Sequence, residues 1–324
     1  MDKLSVIRKP VEKELASFGD YFKSQFKSDV KLLDCALRYV GESTGKLMRP
    51  MLVMLIAKCA GEVNEKSYAA AAAMEMLHTA SLLHDDVIDE SDKRRGRPSV
   101  NAVFNNNVAV LSGDFLFSQA LNNAALTDDC RVVKEISALG KALSSGEVLQ
   151  VELQREGSYS EDNYLKVIDC KTASLFVCSA VCAVYTAGGS EKYLDNFRKF
   201  AEYVGKCFQI KDDIFDYSSN DVGKPTGCDM REGKITLPAL YVLRESLNPL
   251  LEPIRGKLVN AEILDEKEID TLIRIAIEEG GIEYANERIE HYRTLALDSL
   301  PNDLNQELHD ALEAYIDYVI SREK

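Results

Sequence analysis

Met74-Glu75-Met76-Leu77-His78-Thr79-Ala80-Ser81-Leu82-Leu83-His84-Asp85-Asp86-Val87-Ile88-Asp89, residues 74–89, is an apolar run that closes on a cluster of aspartates. A second run ends the same way, in Asp212-Asp213-Ile214-Phe215-Asp216. Leu77, Leu82 and Val87 recur at helical rather than alternating spacing, as do Leu52, Leu55, Ile56 and Cys59, then Phe176, Ala180, Val181 and Val184, then Leu272, Ile275 and Ile277. This pattern predicts an all-α protein of about ten helices or more. Breaks at Gly61 to Asn64, Arg95 to Pro98, Glu156 to Ser158, Gly188 to Ser190, Ser218 to Gly227 and Pro249 to Gly256 read as helix-to-helix turns. No low-complexity linker and no repeat of fixed period divides the chain, and because the two motifs make sense only if they face each other, residues 1–324 are expected to form a single domain closed around them, with a two-domain split as the lesser option.

On a helix, residues four apart share a face. Asp85 and Asp89 then form a like-charge pair, as do Asp212 and Asp216, and such pairs are destabilising when bare. A bound cation removes that cost, and Mg²⁺ suits the site because it takes hard oxygen ligands from one or two carboxylates together with water and substrate phosphates. The flanks agree. Lys93-Arg94-Arg95-Gly96-Arg97 follows the first motif and is suited to charge-assisted bonds with phosphate oxygens. Lys224 and Lys234 stand in Gly-bounded loops after the second motif, and Gln209, three residues before Asp212, lies on its helical face. Lys46 and Arg49 are three apart at a helix start, where free N–H groups already favour anions. His78 falls on nearly the same face as Asp85. Each feature also has a plain reading: a solvated helix end for an acidic cluster, a surface turn for the lysine loops, a polar helix position for Gln209, a satisfied core histidine for His78.

Gly (18) and Pro (8) together fall below the usual share of roughly 12%, which implies long, rarely interrupted elements. With 53 acidic against 39 basic residues the net charge is −14, which argues against nucleic acid or an anionic membrane surface as partner. The eight cysteines, at 35, 59, 130, 170, 178, 182, 207 and 228, form no Cys-x-x-Cys pair and read as small core hydrophobes in a reducing compartment. The charged start lacks a secretory apolar stretch, and no transmembrane segment is expected, since even Tyr68–Leu83 is broken by Glu75 and His78. A cytoplasmic protein is the expectation.

Taken in order, these segments resemble the trans-isoprenyl diphosphate synthases, the polyprenyl synthetases: Gly45-Lys46-x-x-Arg49-Pro50, His78, Asp85-Asp86-x-x-Asp89 with Arg94-Arg95-Gly96, Gly113-Asp114, Gly146-Glu147, Lys171-Thr172, Gln209-x-x-Asp212-Asp213-x-x-Asp216 and Gly233-Lys234. The likeness runs from about residue 40 to 240; the tail from Asn248 carries no motif, and Cys228 stands where the family more often has a polar residue. The resemblance implies the isoprenoid synthase fold, a helical bundle around a central cavity, and head-to-tail condensation of isopentenyl diphosphate with an allylic diphosphate. It implies two or three Mg²⁺ ions bound with the diphosphate by Asp85, Asp89, Asp212 and Asp216, with Asp86 and Asp213 completing the catalytic motifs. Arg94, Lys171, Thr172, Gln209, Lys224 and Lys234 would serve the allylic diphosphate, and Lys46, Arg49, His78 and Arg95 the homoallylic one. A homodimer is implied as well.

Leu77, Ala80, Ser81 and Ala73 fall on one flank beneath Asp85. In short-chain members of the family, bulky aromatic residues four and five positions before the first Asp close this flank; here Ser81 and Ala80 stand there. Each turn adds roughly 5.4 Å of depth, so several isoprene units fit before a floor, for which Ile136, Leu139 and Leu143 are candidates, and a long, octaprenyl-like product is expected. Tight helix packing through Ala69–Ala73 is the plain reading of the same residues. Alternatives are a farnesyl or geranylgeranyl diphosphate synthase, a class I terpene cyclase, and a non-catalytic partner subunit. The second motif and the cationic sites argue against the cyclase, and the presence of all six aspartates against the inactive subunit.

Overall fold

A computed structural model describes residues 3–42, 45, 47–94, 96–217 and 226–322. Among these residues the protein is all-α apart from one antiparallel pair of two-residue strands, Lys93–Arg94 with Arg97–Pro98. Two compact units are present, Met1–Gly140 with Leu175–Lys199 and Leu300–Tyr315, and Lys141–Ser174 with Phe200–Ser299 and Ile316–Lys324.

In the first unit the helix Glu65–Ile88 carries the first Asp motif. It starts at a capping box: the Asn64 side chain accepts from Lys66 N (2.9 Å) and Ser67 N (3.3 Å), and Ser67 Oγ accepts from Asn64 N. Five alanines, Ala69–Ala73, follow; alanine is the best helix former, and these side chains are buried. Their small size lets other backbones come close. Near the other end of the helix, Gly113 of the helix Asn106–Leu126 leaves room for His84, whose Nε2 a Cβ there would overlap. The helix Met48–Ala60 is apolar all round, with Met51 to Ala57 fully enclosed, and Tyr315 donates to the Met48 carbonyl at 3.0 Å.

In the second unit the helix Leu194–Phe215 brings the second motif, its Phe200–Phe215 part lying in this unit. The tail, motif-less in sequence, forms helices Leu251–Val259, Glu266–Glu278 and Gly281–Asp298 in this unit and then Gln306–Ser321, which belongs to the first unit as far as Tyr315 and to the second from Ile316. It builds core: Leu272, Ile275, Ala285 and Ile289 are buried, and Tyr203 stacks on Tyr292 at 6.0 Å. Glu161 ties the start of the helix Glu161–Ile168 to two others, accepting from Tyr284 Oη at 2.6 Å and pairing with Arg244 at 3.1 Å.

Two expectations are corrected. The helical run Glu161–Thr186 is long and apolar enough, by length and composition, to cross a membrane, but 67% of its apolar window is buried inside the protein. Its apolarity is that of a core segment, and Asp169, Lys171 and Thr172 interrupt it at a π-turn, Asp169–Ala173. The cysteines are unpaired, but only Cys178, Cys182 and Cys207 are fully buried, while Cys35 and Cys130 are exposed.

Asn64→Ala removes the cap of the first-motif helix and the Asn64 Nδ2 bond to Thr186 O (2.8 Å). Unfolding stability in urea should fall by about 1–2 kcal/mol.

Candidate active site

In the first unit the three aspartates do not share a task. Asp86 is buried, with a side-chain exposure of 3%, and its Oδ1 accepts from Arg94 Nε at 2.6 Å. Asp85 is half-buried in the last helical turn, and Asp89 is the exposed C-cap residue. A helix advances roughly 100° per residue, so the middle aspartate of the motif must leave the face shared by the outer two. Buried, it needs a donor. The strand pair supplies it: the turn at Gly96, with φ +76°, folds Arg94 back over the helix end.

Beneath Arg94 lies a small cavity of about 70 Å³ whose walls include Glu75, His78, Thr79, Asp86 and Arg94. Arg49 reaches Glu75 at 3.5 Å with its guanidinium 5.5 Å from the Phe176 ring centroid. His78 and Arg94 therefore share one cavity, and Arg49 approaches it through Glu75. Lys46 and Arg95, assigned with Arg49 and His78 to the homoallylic diphosphate, lie outside the described residues, while Arg94, assigned to the allylic one, stands in the wall of this cavity with His78.

In the second unit the arrangement is repeated with different partners. Asp213 is buried; its two oxygens accept from Tyr164 Oη (2.7 Å) and Gln209 Nε2 (2.8 Å). Thr172 Oγ1 donates to Gln209 Oε1 at 2.5 Å, closing a chain from Thr172 to Tyr164. Burial pushes the Asp213 carboxyl up to about 8, with the Asp229 charge adding to the effect. Asp216 accepts from the backbone N–H groups of Cys228 (2.9 Å) and Asp229 (3.1 Å), anchoring the short helix Cys228–Arg231. Asp212 lies 2.7 Å from Arg322.

Lys171 is delivered by a π-turn, Asp169–Ala173, of the kind often found at functional sites. Gly146 makes room for it: a Cβ there would stand 2.7 Å from Cys170 Cβ and 2.8 Å from Lys171 Cγ. The ammonium is held by Glu147 (2.6 Å) and Gln150 (3.1 Å), and Lys234 lies 2.5 Å from Glu232. A cavity of about 250 Å³ has Lys171, Thr172, Gln209, Asp213, Lys234 and Tyr164 in its wall. Four of the six residues assigned from sequence to the allylic diphosphate thus meet at one cavity; Arg94 is not in its wall, and Lys224 lies outside the described residues. Tyr164 and Arg322 were missed. The helical phase of Asp213 hinted that a buried donor was needed, but no local pattern marked Tyr164.

The outer aspartates fit a hard divalent cation. Asp85, Asp89, Asp212 and Asp216 offer oxygen alone, and Asp89 and the partly exposed Asp212 remain reachable by water or phosphate. Among the described residues the one group of three ligand atoms within 4.8 Å of one another is His309, Asp310 and Glu313, outside both motifs.

An all-α frame whose helices end in two such acidic motifs, each beside cations aimed into a cavity, is that of an isoprenoid synthase fold, and the enzyme class is trans-prenyltransferase. Residues 30–271 match the family model described as polyprenyl synthetase, and the chain belongs to that family. It is 37% identical over 294 residues to an all-trans-nonaprenyl-diphosphate synthase (geranyl-diphosphate specific) of Rhodobacter capsulatus, covering 90% of this chain and 89% of the relative. The crystal structure of a geranylgeranyl pyrophosphate synthase from Bacteroides thetaiotaomicron superposes with TM-score 0.85 at 39% identity, covering 99% of this chain and 100% of that one. A polyprenyl synthase from Caulobacter crescentus, complexed with calcium and isoprenyl diphosphate, gives TM-score 0.89 at 28% identity, covering 99% and 98%.

Arg94→Ala leaves the Asp86 carboxylate buried without its guanidinium. Stability should drop by about 2–3 kcal/mol in chemical denaturation, and Arg94→Lys should recover part of it.

Proposed function

We propose that the enzyme condenses isopentenyl diphosphate head-to-tail with an allylic diphosphate, releasing pyrophosphate and a long-chain, octaprenyl-like all-trans polyprenyl diphosphate. The observation that carries this reading is the cavity walled by Lys171, Thr172, Gln209 and Lys234, two cations and two neutral hydrogen-bonding groups beside the second Asp motif. Two or three Mg²⁺ ions, held by Asp85 and Asp89 and by Asp212 and Asp216, would supply Lewis-acid stabilisation of the departing diphosphate. The calcium in the Caulobacter complex supports a divalent ion.

The protein's own part is electrostatic. Lys171 and Lys234, with Arg94 and Lys224, orient the allylic diphosphate and neutralise charge as its C–O bond breaks. Thr172 and Gln209 fix its oxygens, and Asp213 holds Gln209 in place. Lys46, Arg49, His78 and Arg95 hold the homoallylic diphosphate. Leu77, Ala80 and Ser81 line the space that receives the growing chain and keep water from the allylic cation. The released pyrophosphate takes the final proton. Residues 1–324 act as one catalytic domain in this reading, and the enzyme works in the cytoplasm.

Length is supported by Ala80 and Ser81 and by the nonaprenyl synthase relative. A second reading, a geranylgeranyl product, draws on the Bacteroides structure. Sizing the lipid formed from farnesyl diphosphate, labelled isopentenyl diphosphate and Mg²⁺ decides between them: products of about eight units support the first, a stop at four the second. Ala80→Phe should shorten the product by several units, and an unchanged length would remove Ala80 from the cavity lining.

A homodimer is proposed through the helix Asn106–Leu126, which leaves Val110, Leu111, Phe117 and Leu121 exposed, Leu111 by 63%. Leu111→Glu with Leu121→Glu should yield monomers in sedimentation velocity.

A further inference from the structure

Arg322 stands just past the helix Gln306–Ser321, in the stretch that carries no sequence motif. Its Nη2 is 2.7 Å from Asp212 Oδ1 and donates to the Phe208 carbonyl at 2.8 Å. Its guanidinium carbon lies 3.6 Å from the Phe208 ring centroid, with Phe215 at 5.9 Å. The side chain is 11% exposed, against 41% for Asp212. Charge, a backbone carbonyl and an aromatic face thus hold one planar fork against the second-motif helix. The helix bringing Arg322 is itself tied down, since Arg293 Nε lies 2.7 Å from Asp317 Oδ1. A surface arginine held by a single exposed carboxylate would have none of these further restraints.

We propose that Arg322 is a positioning residue of the second Asp motif: its guanidinium holds the Asp212 carboxylate and competes with a divalent cation for it. The end of the chain then sets the cation concentration at which the motif loads. This rests on the reading of Asp212 as a metal ligand. A cation joining Asp212 must share that carboxylate with Arg322 or displace it. A displaced guanidinium can keep its place on the Phe208 ring and turn its donors to diphosphate oxygens.

The test is calorimetric titration of Mg²⁺ into the full chain at a fixed, saturating concentration of inorganic pyrophosphate. In Arg322→Gln the half-saturating Mg²⁺ concentration should fall by roughly threefold or more, because a neutral side chain no longer competes. Arg322→Lys, which keeps the charge, should stay nearer wild type. An unchanged or raised half-saturation in Arg322→Gln overturns the proposal. Thermal unfolding without Mg²⁺ checks the fold; if Arg322→Gln does not fold, Phe208→Leu, which loosens the guanidinium without removing charge, should shift half-saturation in the same direction, and failure to do so overturns the proposal. Absence of any Mg²⁺-dependent heat in the wild-type chain is a separate result. It would refute Asp212 as a metal ligand, and this proposal with it.

Discussion

Both aspartate clusters stand at the carboxyl ends of their helices, where the backbone dipole already presents partial negative charge and where acidic side chains are least welcome. Everything at the site answers that constraint. The middle aspartate of each cluster is sunk into protein and given donors: Arg94 for Asp86, Tyr164 and Gln209 for Asp213. In the second cluster the outer ones meet a cation or backbone amides, Arg322 for Asp212 and the N-terminus of Cys228–Arg231 for Asp216.

The two motifs reach this balance by unlike means. Asp86 is matched by a full positive charge and can remain an anion in a buried place. Asp213 has only neutral donors and an acidic neighbour, so its carboxyl is held in the protonated direction. One sequence pattern therefore encodes two electrostatic environments, and the difference lies in residues far from the pattern.

Helical spacing in the sequence was enough to assign the fold class. Lys171, Thr172 and Gln209 were legible through family resemblance, and they do meet. Less was legible where a partner comes from a distant part of the chain. Tyr164 sits 49 residues before Asp213 and Arg322 comes 110 residues after Asp212, separations over which no periodicity carries information. The apolar stretch Glu161–Thr186 was overlooked because its interior polar residues, which serve the cavity, break its pattern.

Those polar residues sit on the π-turn Asp169–Ala173, which accommodates one residue more than an α-helical turn would. Cutting a single residue from it would restore a regular helix whose flanking segments keep their phase, while the residues of the turn itself would lose the places it gives them. Lys171 and Thr172 would no longer both point where they do, although every side chain the chemistry calls for would still be encoded. In this segment the placement of two cavity-lining side chains depends on a number of residues, so an insertion or deletion there disturbs more than most substitutions would.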